Sequence, residues 1–337
     1  MCTLLRVAVG VVVNTNGEFL VALRAAHRHQ GGLWEFPGGK IEPGESTRMA
    51  LDRELWEEFG IRVVNAHFFL RVPYQYPDRT VLLEVWRVTD YTGKPFGREG
   101  QTWRWVSSDA LPMFSFPAAN LPIVATLRIP SFYLITDSAP EQEFFSRLEQ
   151  ALTAGVRLIQ LRLPGLNLEQ YVALAKPAIA LCRRFGAWLL LNCAPALAIF
   201  LEADGIHLSA AHLSTISDRP LPRPRWVAAS CHNRDELTKA CQIGADFVVL
   251  SPVLPTTSHP EAYPLGWETF AELIANLGMP VYALGGMTPD HLPLAHSHGA
   301  RGIAVLSAVW KSTNIAETIR SMPDIFSPAQ KIRNLIL

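Results

Sequence analysis

Three glutamates, Glu54, Glu57 and Glu58, stand at i, i+3 and i+4 within Met49–Phe59, a stretch rich in Glu and Leu. A helix there projects all three carboxylates from one face. Packed so closely, they repel and raise one another's pKa unless a positive charge sits between them. A hard divalent cation with oxygen ligands meets that need. Mg²⁺ held partly by carboxylates and partly by substrate phosphates is the commonest case, with Mn²⁺ as the alternative ion. Leu51 and Leu55 fall on another face and anchor the helix, while Arg53 and the preceding Glu45 orient the site without reacting. Three glutamates alone read most simply as a solvated acidic face. Here, however, Gly39, Glu45, Arg53, Glu54, Leu55, Glu57, Glu58, Gly60 and Ile61 keep fixed offsets behind a glycine-rich turn.

That run, GKIEPGESTRMALDRELWEEFGI from Gly39, resembles the Nudix box, and the likeness extends over about residues 5 to 128. The segment is similar to the MutT branch, through Leu33–Lys40 before the box and Phe116-Pro117-Ala118-Ala119-Asn120 after it. The resemblance implies an Mg²⁺-dependent pyrophosphohydrolase that converts 8-oxo-dGTP to 8-oxo-dGMP and pyrophosphate. Such an enzyme sanitises the nucleotide pool and serves DNA replication fidelity and repair. It also implies metal ligation by Glu54, Glu57, Glu58 and Glu99 with a backbone carbonyl near Gly38. Arg53 belongs to the catalytic set, and Glu54 and Glu58 both remain candidates for the general base. Around the nucleotide it places Arg24, His29, Glu35, Phe36, Pro37, Gly38 and Asn120, with Asp78 and Arg79 on a loop above. An amide such as Asn120 offers donor and acceptor together and can read a purine edge directionally. Taken singly, Phe36 reads equally as core and Asn120 as a helix cap.

The elements that carry these residues can be placed. Val7–Val13 and Phe19–Leu23 predict a hairpin across Asn14-Thr15-Asn16-Gly17, and Thr80–Val88 a longer strand. After Pro130 the pattern changes to apolar runs alternating with amphipathic stretches. Eight such runs occur: Phe132–Thr136, Leu158–Arg162, Trp188–Asn192, Gly205–Leu208, Trp226–Ser230, Phe247–Ser251, Val281–Gly285 and Gly302–Leu306. Eight β-runs with helices between them predict a (β/α)8 barrel. The expected fold class is α/β: a Nudix α/β/α sandwich with a mixed sheet in residues 1–129, then a TIM barrel in residues 130–337.

The second half resembles the thiamine phosphate synthase and TenI family. The likeness rests on Tyr133–Asp137, Ile159-Gln160-Leu161-Arg162, Ala203–Leu208 and Ala283–Gly286. It implies a barrel-mouth site built from Gln160, Arg162, Asn192, Ser230, His232, Thr256, Gly286 and Ser307, with a thiazole phosphate as candidate ligand. The departures point away from synthase chemistry. Leu163-Pro164-Gly165 replaces a lysine, Cys193 and His212 replace two metal-binding aspartates, and His259 replaces a second lysine. A site without these groups is poorly equipped to stabilise a departing pyrophosphate. His232 falls where TenI-like members use a histidine to shift a proton, and the competing reading is a polar loop residue. His296-Ser297-His298 reads as an exposed turn.

Composition bounds the rest. Thirty basic residues balance thirty acidic ones over 337 positions, which removes a global electrostatic case for a polynucleotide or an anionic membrane. The expected partner is a small nucleoside triphosphate, and oligomeric state is left open. Five cysteines without a C-x-x-C spacing read as reduced thiols, and the cytoplasm is the expected compartment. Three readings follow: a nucleotide hydrolase with a degenerate barrel, a bifunctional hydrolase and thiazole tautomerase, or a hydrolase of compounds related to thiamine pyrophosphate.

Overall fold

Strand β1 (Leu4–Val12) alternates between two apolar cores. Val9 and Val11 join a cluster with Ile123, Val124 and Leu127, whereas Ala8 and Val12 join one with Ala50, Leu51, Leu55 and Phe59. Period-two side chains thus put helix α1 (Thr47–Phe59) on one face and helix α2 (Leu121–Arg128) on the other. Strand β2 (Phe19–Leu23) divides in the same way, with Phe19 and Val21 against Leu20 and Ala22. The result is an α/β/α sandwich. The computed structural model describes residues 4–26, 30–256, 261–275 and 277–320, and the chain divides into the units Met1–Ile129 and Pro130–Leu337.

The remaining strands of the first unit are β3 (Trp34–Glu35), β4 (Gly38–Lys40), β5 (Arg62–Gln75), β6 (Thr80–Thr92) and β7 (Trp103–Val106). One sheet runs β4-β1-β6-β5, and a smaller one runs β3-β2-β7. Only β1 and β6 are parallel, so the first sheet is mixed as the sequence predicts. The predicted hairpin needs correction. The Asn14–Gly17 turn forms, with the Gly17 N–H donating to the Asn14 carbonyl at 2.9 Å. Beyond a single bridge between Val13 and Phe19, however, β1 and β2 part into different sheets. Each takes better-matched neighbours: β1 pairs along its whole length with β6, and β2 with β7.

Gly38 sits where β4 joins this arrangement, at φ +147°, and an added Cβ would lie 2.1 Å from the Ala8 carbonyl oxygen. Its N–H faces the helix that carries the glutamates. Helix α1 is capped by the Ser46 side chain, which accepts from the Met49 N–H, and it buries Ala50, Leu51, Leu55 and Phe59.

The second unit is a closed eight-stranded parallel barrel: β8 (Phe132–Ile135), β9 (Leu158–Leu161), β10 (Trp188–Leu191), β11 (Gly205–Leu208), β12 (Trp226–Cys231), β13 (Phe247–Leu250), β14 (Val281–Ala283) and β15 (Gly302–Val305). Every predicted run carries one of these strands. Phe132, Leu134, Ile159 and Leu161 pack outward in the large core shared with helix residues Phe144, Leu148, Ala175 and Ile179. The alternate positions face the barrel axis, where Tyr133, Phe247 and Tyr282 meet with ring centroids 5.3–5.7 Å apart. No helix among the described residues is long and apolar enough to cross a membrane.

Because backbone, not a flexible side chain, fills the space beside Gly38, Gly38→Ala should destabilise the protein by about 2 kcal/mol or more. Thermal melting checks this, and an unchanged midpoint would contradict the close approach of β1 and β4.

Candidate functional site

The glutamates of α1 divide into two sets according to what holds them. Arg53 gathers most of them: its Nε and Nη2 donate to Glu45 at 2.9 and 3.0 Å, and its Nη1 to Glu54 at 2.7 Å and Glu57 at 3.3 Å. Its Nη2 also reaches the Lys40 carbonyl at 3.0 Å, tying the helix to the end of β4. Arg53 and Glu45 thus form a doubly hydrogen-bonded pair. These bonds hold the Glu45 carboxyl below its usual range and raise the Arg53 pKa.

Glu58 belongs to the other set. Its Oε2 accepts the Gly38 N–H at 3.2 Å. Burial, and then the negative charges of Glu35, Glu54 and Glu99, push its pKa up to about 8. Glu54 is raised as well, chiefly by burial, although Arg53 opposes the shift. Its carboxylate lies against the turn so closely that a Cβ on Gly39 would sit 2.1 Å from Oε1. Glu99 is exposed on the loop after β6, and that loop is stapled to the helix end. There the Gln101 side chain and the Arg98 N–H both donate to the Glu58 carbonyl, at 2.9 and 3.0 Å.

This donor set fits a hard cation. Its groups are carboxylates, they are crowded, and their charge is penalised by burial and by one another. Among the described residues, no three His, Cys, Asp or Glu side chains close into a cage. A cation here would have to draw its remaining ligands from water and phosphate, as Mg²⁺ commonly does.

The expected base-binding residues come from several separate segments of the first unit. Arg24 pairs with Glu35, whose charge reaches Glu58. Phe36 is 2% exposed and stacks on Phe116 at 5.4 Å, which makes it a core residue. The Pro37 carbonyl accepts from Gly10 at 2.8 Å. Asp78 and Arg79 pair with each other on the β5–β6 loop. Asn120 is buried ahead of α2, yet its side chain does not cap the helix. Its Oδ1 is out of contact with solvent and has no hydrogen-bond partner among the described residues. A buried carbonyl oxygen left unpaired is costly, and a ligand donor would relieve that cost. His29 lies outside the described residues. Tyr76, on the same loop as Asp78 and Arg79, accepts the Ala119 N–H on its hydroxyl at 3.3 Å and so positions the segment next to Asn120.

The barrel has a second site, a cavity of about 840 Å³ at the C-terminal ends of its strands. Gln160, Arg162, Asn192, Ser230, His232, Thr256, Gly286 and Ser307 all line it, so the structure brings the whole expected set together. Asp137 bridges two cations at the rim, Arg162 at 3.3 Å and Lys311 at 3.4 Å. Lys311 was not legible as a site residue, because its loop carries no motif. His232 is oriented by Glu236, whose Oε2 lies 2.9 Å from Nδ1 and also accepts the His232 N–H at 2.7 Å. Neither replaced position, Cys193 nor His212, lines the cavity. Cys193 instead meets Tyr171, and burial pushes its thiol up to about 11, which keeps it protonated. The four described cysteines are free thiols.

Comparison with known proteins agrees with the two domains. A NUDIX domain profile matches residues 8–126, and a thiamine monophosphate synthase profile matches residues 132–309. The first unit is 43% identical over 124 residues to the 8-oxo-dGTP diphosphatase of Escherichia coli K12, spanning 37% of this chain and 96% of that protein. The chain belongs to both families. A second 8-oxo-dGTP diphosphatase, from Haemophilus influenzae, is 37% identical over 37% of this chain and 91% of its own. The barrel is 34% identical to the thiamine-phosphate synthase of Chlorobium luteolum, over 59% of this chain and 93% of that one. The chain is thus a fusion of a MutT-like Nudix domain and a thiamine phosphate synthase/TenI barrel.

The raised Glu58 pKa makes a prediction about stability in chelator. Folding keeps this carboxyl protonated until about pH 8, whereas an unfolded glutamate releases its proton near 4.5. Between those values the unfolded state binds fewer protons, so the Glu58 contribution to stability falls as pH rises. In chelator, Glu58→Gln should therefore raise the melting temperature of the protein at pH 8 and have little effect at pH 4.5. An equal effect at both pH values would contradict a buried, crowded carboxyl.

Proposed function

We propose that the Nudix domain hydrolyses 8-oxo-dGTP to 8-oxo-dGMP and pyrophosphate in the presence of Mg²⁺. The activity named for its relatives gives the substrate class. The observation that carries the reading on this chain is the buried Oδ1 of Asn120, which has no partner among the described residues and would be satisfied by a donor from the base. Bound Mg²⁺ would neutralise the phosphate charge and make water a better nucleophile. The residues to hold it are Glu54, Glu57 and Glu58 on α1 with Glu99 on its loop, and the backbone near Gly38. Arg53 donates to Glu54 and Glu57 and aims both carboxylates.

Glu58, held by a backbone N–H and not by arginine, is the better proton acceptor of the two candidates. A water oxygen bonds to phosphorus while its proton passes to carboxylate. The bond between the α- and β-phosphoryl groups then breaks, releasing monophosphate and pyrophosphate. The pool-sanitation role and a cytoplasmic setting follow from this substrate. Asn120 would set the preference for the oxidised base, because a nucleotide that lacks the matching donor leaves its carbonyl unpaired.

We infer a separate role for the barrel: binding a phosphorylated thiazole without synthase chemistry. Arg162 and Lys311 stand at the rim to meet a phosphate, and the His232–Glu236 pair supplies a positioned imidazole for a metal-independent proton shift. The protonated thiol at Cys193 supplies no carboxylate to a metal.

Two assays test these readings. Asn120→Ala should lower kcat/KM for 8-oxo-dGTP about tenfold to a hundredfold more than for dGTP, the scale of one buried hydrogen bond. An equal fall for both nucleotides would make Asn120 a shaping residue only. For the barrel, calorimetry should detect thiazole phosphate binding while Mg²⁺-dependent synthesis of thiamine phosphate is absent. Tautomerase turnover should vanish in His232→Ala. Synthase turnover at an ordinary enzymatic rate would overturn the barrel reading.

A further inference from the structure

A hydrogen-bonded chain runs from the closed centre of the barrel to its mouth. Tyr133 on β8 is fully buried, and its hydroxyl lies 3.0 Å from Nδ1 of His207 on β11. Nε2 of the same ring lies 2.8 Å from Oγ of Ser230 on β12. Ser230 lines the cavity beside Gln160 and Asn192. Three strands thus contribute one residue each, and only the last meets the space a ligand would fill. His207 stood within the motif Ala203–Leu208 but not among the expected site residues.

The protons in this chain can be assigned by counting. Burial pulls the His207 pKa down to about 3, so the ring is neutral and carries one N–H. If that proton sat on Nδ1, it would point at the Tyr133 oxygen. The Tyr133 O–H would then have no acceptor, for among the described residues that hydroxyl meets only His207. A fully buried hydroxyl without an acceptor is the costly arrangement. With the proton on Nε2, every group is satisfied. Tyr133 donates to Nδ1, Nε2–H donates to Ser230 Oγ, and the Ser230 proton is left over.

We infer that Tyr133 locks His207 as the Nε2–H tautomer, so that Ser230 presents a hydrogen-bond donor to the barrel mouth. The ligand atom that takes the free Ser230 proton is therefore an acceptor, such as a heteroaromatic ring nitrogen or a phosphate oxygen. His207 and Tyr133 are positioning residues: they touch no ligand and act through the serine. This ligand polarity rests on the barrel mouth being a binding site, whereas the tautomer does not.

Nitrogen-15 NMR of the histidines in the full-length protein tests the assignment, with the His207 resonance identified by its loss in His207→Gln. The expected spectrum at neutral pH shows a protonated Nε2 and an unprotonated, hydrogen-bonded Nδ1. A protonated Nδ1, or a doubly protonated ring, would overturn the proposal. Tyr133→Phe preserves the ring packing and removes only the donor. It should lower the ratio of Nε2–H to Nδ1–H tautomer by about tenfold, the scale of one hydrogen bond. An unchanged ratio would remove Tyr133 from the mechanism. Thiazole phosphate then serves as the binding probe, and its affinity should fall several-fold in Ser230→Ala and in Tyr133→Phe. Equal affinity in wild type and both variants would overturn the donor role of Ser230. Failure of the wild type to bind the probe would defeat the thiazole reading of the barrel and the ligand polarity built on it, while the tautomer is decided by the spectrum alone.

Discussion

Carboxylates that cannot all be ionised together organise the first half of this protein. Burial bears hardest on Glu58, and Glu35, Glu54 and Glu99 approach closely enough for each to add to the pressure. Such an arrangement costs stability unless something pays for it elsewhere. Part of the relief is built in, through the fork of Arg53 and the Gly38 N–H. What remains unrelieved would, in the function proposed above, favour the uptake of a cation with its phosphate. The sandwich geometry exists around this point: α1 is clamped on β1 by Leu51 and Leu55, β4 brings its glycines under the helix, and the Gln101 loop closes over the helix end.

The barrel solves a different problem with a neutral device. Among the described residues, the carboxylates and cations lining its mouth are Asp137, which meets Arg162 and Lys311, and Glu261. Deeper in, the polar groups are amides, a hydroxyl and an uncharged imidazole. Polarity without net charge suits recognition of a heterocycle more than stabilisation of a departing pyrophosphate, which calls for cations or a metal. The replaced aspartates and lysines and the buried Tyr133–His207–Ser230 chain point the same way.

Much of this was legible in the sequence because the informative residues obey strict spacing. The helix glutamates must follow 3.6-residue periodicity to share a face, and parallel barrel strands, buried on both sides, appear as short apolar runs. Where the spacing is disturbed, legibility fails. Strand β5 runs from Arg62 to Gln75 but was not foreseen, since register shifts around Asn65 and between Phe68 and Leu70 break its alternation. The hairpin was misread because β1 and β2 carry the same apolar alternation around a good turn, and sequence does not say which sheet each joins. The roles of Tyr76, Gln101 and Lys311 depend on contacts across 43, 43 and 174 residues, which no local pattern encodes. For Asn120, the structure removes the helix-cap reading by showing the side chain uncapped and its oxygen unpaired.

The central claim is that the carboxyl of Glu58 is held protonated by burial and by neighbouring negative charge until a cation arrives. Carbon-13 NMR titration of the full chain, with the Glu58 signal identified by its loss in Glu58→Gln, measures this directly. In chelator the midpoint should lie near pH 8, and saturating Mg²⁺ should bring it down into the ordinary carboxylate range. A midpoint near 4.5 in chelator, unmoved by Mg²⁺, would contradict the account.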